Sequence, residues 1–167
     1  MSAGVNTLNY KLPYSRIFGG VTQLTSQKFE KVNGYSNIFW GWGGEDDDLY
    51  TRLFIYAKLK MVRANLTVGR YKMIKHKHES LNKPNKDRHK LLLTSMVRMF
   101  QDGIRQLKYE IVGRKSKGVF EKVTVDIGKP RKSMNDIDLV WWDRDVLESW
   151  KTIEKKNHDF QEIDFYS

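Results

Sequence analysis

The run Trp40-Gly41-Trp42-Gly43-Gly44-Glu45-Asp46-Asp47-Asp48 holds the residues best equipped for chemistry in this chain. Two indoles, three glycines and four adjacent carboxylates share nine positions. Glycine lets the backbone adopt positive φ and approach a ligand closely. Tryptophan offers a flat apolar face to a sugar ring and an N–H to a phosphate oxygen. Carboxylates accept hydrogen bonds from hydroxyls, and one of them could serve as a general base. Such a set suits a polyhydroxylated substrate bound beside a phosphate. A plainer alternative is that acidic residues in a first helical turn complement the helix dipole. That accounts for two carboxylates but not for four behind Trp-Gly-Gly.

The elements that must position this run can be read from pattern. Residues 1–16 are polar and aperiodic, and Pro13 opposes regular structure. Ile17 to Leu24 reads as a buried strand interrupted by Gly19-Gly20. Ser26 can cap a short helix reaching Val32, which Asn33-Gly34 would stop. Glu45–Asp48 open a second helix whose buried face is Leu49, Leu53, Ile55, Tyr56 and Leu59. Leu66 to Ile74 reads as a strand, and His76 to Lys86, containing Pro84, as a mobile loop. Asp87 to Gln101 is a helix with Leu91, Leu92, Met96 and Met99 on its apolar side, closed by Asp102-Gly103. Two strands, Tyr109–Val112 and Val119–Ile127, follow across a Lys-, Ser- and Gly-containing turn. The tail from Arg131 carries Trp141-Trp142 and a predicted helix near Asp145–Lys155, whose Trp150 should pack on something.

The 167 residues carry a formal charge of +10 and no cysteine. The charge invites a nucleic-acid reading. The basic residues are spread along the chain, however, and such a reading leaves the acidic cluster unexplained; a basic surface or an anionic ligand such as a nucleotide diphosphate fits better. Lack of cysteine excludes thiolate zinc sites, disulfides and thiol nucleophiles. No apolar run approaches the ~20 residues of a membrane span, and residues 1–17 lack a signal-peptide core. Asn65-Leu66-Thr67 is a glycosylation sequon and weak support for a secretory route. No Gly-x-Ser-x-Gly elbow, phosphate loop or dinucleotide fingerprint occurs.

Taken together, Phe18-Gly19-Gly20-Val21, Asn33-Gly34-Tyr35-Ser36-Asn37, Trp40 to Asp48, Met73-Ile74-Lys75-His76, Asn82-Lys83-Pro84-Asn85 and Val123-Thr124-Val125-Asp126-Ile127 resemble the β-1,4-galactosyltransferase family in order and near spacing. The resemblance covers roughly residues 10–130 and corresponds to the C-terminal half of that family's catalytic domain. It implies an α/β fold, the C-terminal part of a nucleotide-sugar glycosyltransferase of GT-A-like type, with a mixed sheet flanked by helices. Residues 1–130 would form this half-domain and residues 131–167 an extension of unknown role. The family's Asp-x-Asp metal motif and most of its uridine pocket correspond to sequence upstream of the matched part, which suggests a fragment, a truncated gene model or a degraded paralogue.

The resemblance also implies roles. The family moves a sugar from a UDP-sugar to the 4-hydroxyl of terminal N-acetylglucosamine on glycoproteins or glycolipids, with inversion. Asp46 matches its general base. Glu45, Asp47 and Tyr14 match residues holding the acceptor, and Arg88, His89 and Leu92 match the pocket for its N-acetyl group. Trp42, Gly43 and Gly44 match the segment that contacts the donor phosphate, and Ile17 and Gly20 the donor pocket. Met73 and His76 match two ligands of a Mn2+ ion; taken alone, a Met-x-x-His pair is more often a core methionine and a surface histidine. Ile74 to Leu92 matches a long loop that closes over the donor and excludes water. His89 stands where the family usually has Phe. Ile17 stands where vertebrate galactosyltransferases have a Tyr that crowds the donor's C2 substituent, which favours N-acetylgalactosamine over galactose, as in the invertebrate N-acetylgalactosaminyltransferases. Plain strand packing would equally explain an isoleucine. The implied location is the Golgi lumen, as a type II protein whose membrane anchor is absent from this chain. The rival reading is a non-catalytic sugar-binding or scaffold remnant.

Overall fold

The computed structural model describes residues 3–74 and 82–129. Strand β1 (Gly4–Val5) pairs in parallel with β2 (Arg70–Tyr71), so Gly4 lies opposite Arg70 and Val5 opposite Tyr71. Helix α1 spans Ser26–Lys31. Helix α2 (Glu45–Tyr50) runs on directly into a π-helical segment, Thr51–Tyr56. Helix α3 (Arg88–Arg98) packs against both, and β3 (Glu110–Ser116) and β4 (Glu121–Asp126) close the described chain as an antiparallel hairpin.

The core lies among the helices. Phe18, Val32, Leu49, Leu53 and Met99 are buried together, with Leu24, Phe29, Tyr50, Phe54, Ala57 and Leu59 packed around them. Phe18 meets Phe54 edge-on at 5.4 Å between ring centroids, and Tyr50 lies 4.9 Å from Phe54. Helix α1 starts one residue earlier than the sequence pattern suggests: Thr25, not Ser26, is the cap, accepting from Lys28 N at 3.4 Å. Asn33 and Gly34 then end it, both in the left-handed region at φ 58° and 65°.

Several expectations are corrected. Ile17–Leu24 is not a strand: Gly20 turns at φ 82°, and Arg63 donates to the Ile17 carbonyl in place of a neighbouring strand. The strand predicted over Leu66–Ile74 shrinks to Arg70–Tyr71, because Asn65–Gly69 is folded into a turn. Leu49 and Leu53 are buried as expected, but Ile55 and Tyr56 are 43% and 39% exposed. The π-helical segment explains this. Ala57 N bonds to Arg52 O, five residues back, at 3.0 Å, so each turn holds more residues and the apolar face rotates away from the core. On α3, Leu91 and Met99 are buried while Leu92 and Met96 are half-buried.

The mixture of helices and strands is as expected. The expected mixed sheet is, among the described residues, two separate two-stranded sheets, one parallel and one antiparallel. The hairpin runs longer on its first strand than predicted, with a bulge between Ile111 and Gly113. No described helix is long and apolar enough to cross a membrane. Residues 75–81, which include His76 and His78, and the tail with its predicted helix and Trp150 lie outside the described residues.

Candidate active site

Gly44 sits at φ 95° immediately before α2, and Gly41 and Gly43 are also left-handed, at 93° and 102°. A Cβ on Gly44 would come within 2.9 Å of the Phe39 ring and 3.2 Å of Arg88 Cβ. Glycine is therefore required there twice over, by backbone angle and by packing. This geometry swings the chain so that Glu45, Asp46, Asp47 and Asp48 all fall in the first turn of α2. Successive residues on a helix point about 100° apart, so the four carboxylates face different surroundings.

Asp46 is half-buried and lies against Gly19; a Cβ at Gly19 would collide with its Oδ2. The predicted break in the Ile17–Leu24 segment is thus where the carboxylate is seated. Asp47 Oδ1 accepts from the Tyr14 hydroxyl at 3.0 Å. Burial pushes the Asp47 carboxyl above its ordinary value, and the Tyr14 hydrogen bond pulls the other way. Tyr14 is raised by burial and then by the Asp47 charge, so its hydroxyl stays a donor. Glu45 is raised first by burial, with Asp46 adding to the effect, and its Oε2 is buried without a hydrogen-bond partner among the described residues.

The Trp42 segment is tied to the loop before α3. Trp42 N donates to Lys83 O and Asn85 N to Trp42 O, both at 2.9 Å, forming a parallel bridge between Trp42 and Pro84. Asn85 is buried; its side chain accepts from Asp87 N at 2.9 Å and so links this bridge to the start of α3. Trp42 itself is 40% exposed and Arg88 lies over Gly43-Gly44. Four separate segments of the sequence thus come together: Tyr14, Gly19, Trp42–Asp47 and Arg88.

A family model described as the N-terminal domain of galactosyltransferase matches residues 1–77. Beta-1,4-galactosyltransferase 3 of Homo sapiens is 40% identical over 128 residues, which is 77% of this chain and 32% of that protein. Beta-1,4-galactosyltransferase 2 of Cricetulus griseus is 37% identical over 131 residues, 78% of this chain and 35% of that protein. The human beta-1,4-galactosyltransferase 1 is 37% identical over 130 residues. The chain belongs to the β-1,4-galactosyltransferase family. It spans about a third of the length of these relatives.

In this galactosyltransferase-family chain the structure brings most of the site residues predicted from sequence to one region and leaves others outside it. Glu45, Asp46, Asp47, Tyr14, Trp42, Gly43, Gly44 and Arg88 converge. Ile17 and Gly20 flank the Gly19 seat, Ile17 half-buried and Gly20 exposed. Leu92 is half-buried and His89 exposed on α3. Met73 is instead held near the N-terminus, its amide donating to Asn6 Oδ1 at 2.7 Å and its sulfur accepting from Thr7 at 3.7 Å. Its predicted partner His76 lies outside the described residues, and among those residues no three His, Cys, Asp or Glu side chains gather for a metal. Met73 is the one member of that predicted ligand pair among the described residues.

The fourth carboxylate has a different role from its neighbours. Asp48 is fully buried and holds two arginines: Arg52 Nε meets its Oδ2 at 2.7 Å, an ionic contact without hydrogen-bond alignment, and Arg98 Nη2 meets its Oδ1 at 2.8 Å. Both arginines also reach Asp102, and Arg52 donates to the Gly34 and Asp102 carbonyls at 3.1 and 2.8 Å. Asp102 accepts from Ser36 and from Asn37 N, pinning the Asn33–Asn37 turn. Burial lowers the Arg98 pKa, and Asp48 and Asp102 oppose that shift. The sequence reading missed this four-residue cluster. Its signal was present, since Asp48–Arg52 and Arg98–Asp102 are each four apart on or beside a helix.

Proposed function

We propose that this chain supplies the acceptor-side carboxylates of an inverting β-1,4-glycosyltransferase, with Asp46 as general base. The carrying observation is the seat of Asp46 against Gly19, between the Tyr14–Asp47 pair and the Trp42–Gly44 segment under Arg88. The donor is a UDP-sugar and the acceptor the 4-hydroxyl of a terminal N-acetylglucosamine. The hydroxyl oxygen attacks the donor's anomeric carbon and its proton passes to Asp46. The new O–C bond forms as the bond from that carbon to the diphosphate breaks, and UDP leaves with the electron pair. Asp47, oriented by Tyr14, and Glu45 accept hydrogen bonds from acceptor hydroxyls. Trp42 and the Gly43-Gly44 backbone face the diphosphate, and the Trp42–Pro84 bridge makes their position depend on the loop before α3.

The order of motifs assigns the chain to the C-terminal half of a GT-A-like catalytic domain, in contrast to the matched model's description as an N-terminal domain. Residues 1–130 would be that half and 131–167 an extension. The family resemblance implies a manganese ion, which Met73 and His76 would help to hold and which would neutralise charge on the diphosphate. A Golgi-lumenal address follows from the same resemblance. For the donor, the aliphatic Ile17 favours N-acetylgalactosamine by leaving room at the sugar's C2 position.

The deciding experiment is transfer from UDP-N-acetylgalactosamine and UDP-galactose to an N-acetylglucosamine acceptor, followed by mass spectrometry. Donor-dependent product that disappears in Asp46→Asn supports the reading. Acceptor binding without turnover would make the chain a sugar-binding remnant. In the active protein Ile17→Tyr should move the donor ratio of kcat/KM toward galactose, and an unchanged ratio would end the donor assignment.

A further inference from the structure

The turn between the π-helical segment and β2 carries a motif that glycosyl transfer does not use. Asn65-Leu66-Thr67 is an Asn-x-Thr triplet. The Asn65 carbonyl accepts from Val68 N at 3.0 Å and Gly69 N at 2.7 Å, which closes the turn. Its base is fixed: Gly69 is buried against Ala3 and Ala64, and Gly69 O accepts from Ala3 N and Gly4 N at 3.0 and 3.2 Å. Its tip is open, with Asn65, Leu66, Thr67 and Val68 all exposed and Val68 at 77%.

The side chains at that tip are arranged for modification at nitrogen. Asn65 Oδ1 accepts from Thr67 N at 3.0 Å, which fixes the amide plane and occupies its oxygen. Among the described residues neither Asn65 Nδ2 nor the Thr67 hydroxyl has a hydrogen-bond partner. A sequon needs a surface turn that an external enzyme can reach. Here the sequon is exposed, already turned, and anchored from below so that modification need not disturb the core.

We infer that Asn65 is an N-glycan acceptor, so that this glycosyltransferase-family chain is itself glycosylated. The inference rests on the lumenal address in the proposed function. The co-substrate is an oligosaccharide carried on a lipid diphosphate. Asn65 Nδ2 attacks the sugar's anomeric carbon and gives up a proton to the modifying enzyme's base. The C–N bond forms while the bond from that carbon to the diphosphate oxygen breaks, and the lipid diphosphate leaves with the electron pair. The attached glycan would cover exposed Leu66 and Val68.

The test is translation of the full chain, behind a cleavable leader, into microsomes, with digestion by peptide N-glycosidase. The expected result is one mobility shift, removed by the enzyme, absent in Asn65→Gln and Thr67→Ala, and retained in Thr67→Ser. No shift in the wild type, while a control acceptor in the same microsomes is modified, would overturn the inference at the level of the turn. The native chain should carry the same enzyme-sensitive glycan. A native chain without it, alongside a modified microsomal one, would overturn the inference through the lumenal address and not through the acceptor geometry.

Discussion

Asp47 and Asp48 are adjacent on one helix, yet they belong to different regions of the molecule. Asp47 is half-buried and bonded to a neutral tyrosine hydroxyl at 3.0 Å. Asp48 is wholly buried and surrounded by Arg52, Arg98 and, through them, Asp102. Glu45, Asp46 and Asp47 remain partly open to solvent, whereas the buried cluster pairs its charges internally. The carboxylate run therefore divides between a proposed chemical role and an architectural one, and side-chain direction about α2 makes the division. A third setting sharpens the contrast: on the hairpin, Arg114 and Glu121 pair at 3.3 Å with both side chains more than half exposed.

If that division holds, substitutions should separate cleanly by readout. The largest effect expected is on turnover. In the transferring protein Asp46→Asn should lower kcat by about 10²–10⁴-fold, the usual range for a general base, with little change in melting temperature. Retained turnover would remove Asp46 from the role. Across the division, Arg98→Met should cost about 3–5 kcal/mol of unfolding free energy in urea titration, because it leaves buried carboxylates uncompensated. A loss near zero would mean that the cluster is not the anchor described here.

Gly44→Ala sits on the border between the two regions. It should cost about 1–3 kcal/mol, since alanine must adopt the left-handed backbone and displace Phe39. Asp47→Asn is a smaller, pH-dependent change. The native Asp47 pKa is raised above its ordinary 3.8. Its contribution to stability is thus fully present below 3.8 and is lost as pH rises through the higher native value. The variant lacks that loss, so the stability of the wild type relative to it should decline as melting is followed upward from about pH 3. A constant difference would contradict the burial effect. Last, Arg114→Ala should change stability by no more than about 1 kcal/mol, because solvent screens an exposed pair.

The site was legible in the sequence to the extent that its residues are contiguous. Trp42–Asp47 could be selected by type and spacing, and the helix at Glu45 follows from acidic residues ahead of a periodic apolar stripe. Helix α3 and the hairpin are likewise local patterns. The apolar residues of Ile17–Leu24 resemble a strand, while the turn at Gly20 and the Arg63 bond to Ile17 O depend on tertiary context. Ile55 and Tyr56 were misread because π-helical bonding changes the period on which the amphipathic pattern depends.

By itself the sequence determined the residue types available for chemistry, the helical segments that carry them, and the family to which the chain belongs. These depend on local spacing and on motif order. Tertiary structure alone decided which carboxylates remain partly exposed, that Gly19 seats Asp46, and that Trp42 is bridged to Pro84. It also decided that Asp48 and Asp102, far apart in the chain, share two arginines. The physical reason is that burial and charge pairing depend on distances between remote segments, and a one-dimensional pattern does not contain those distances.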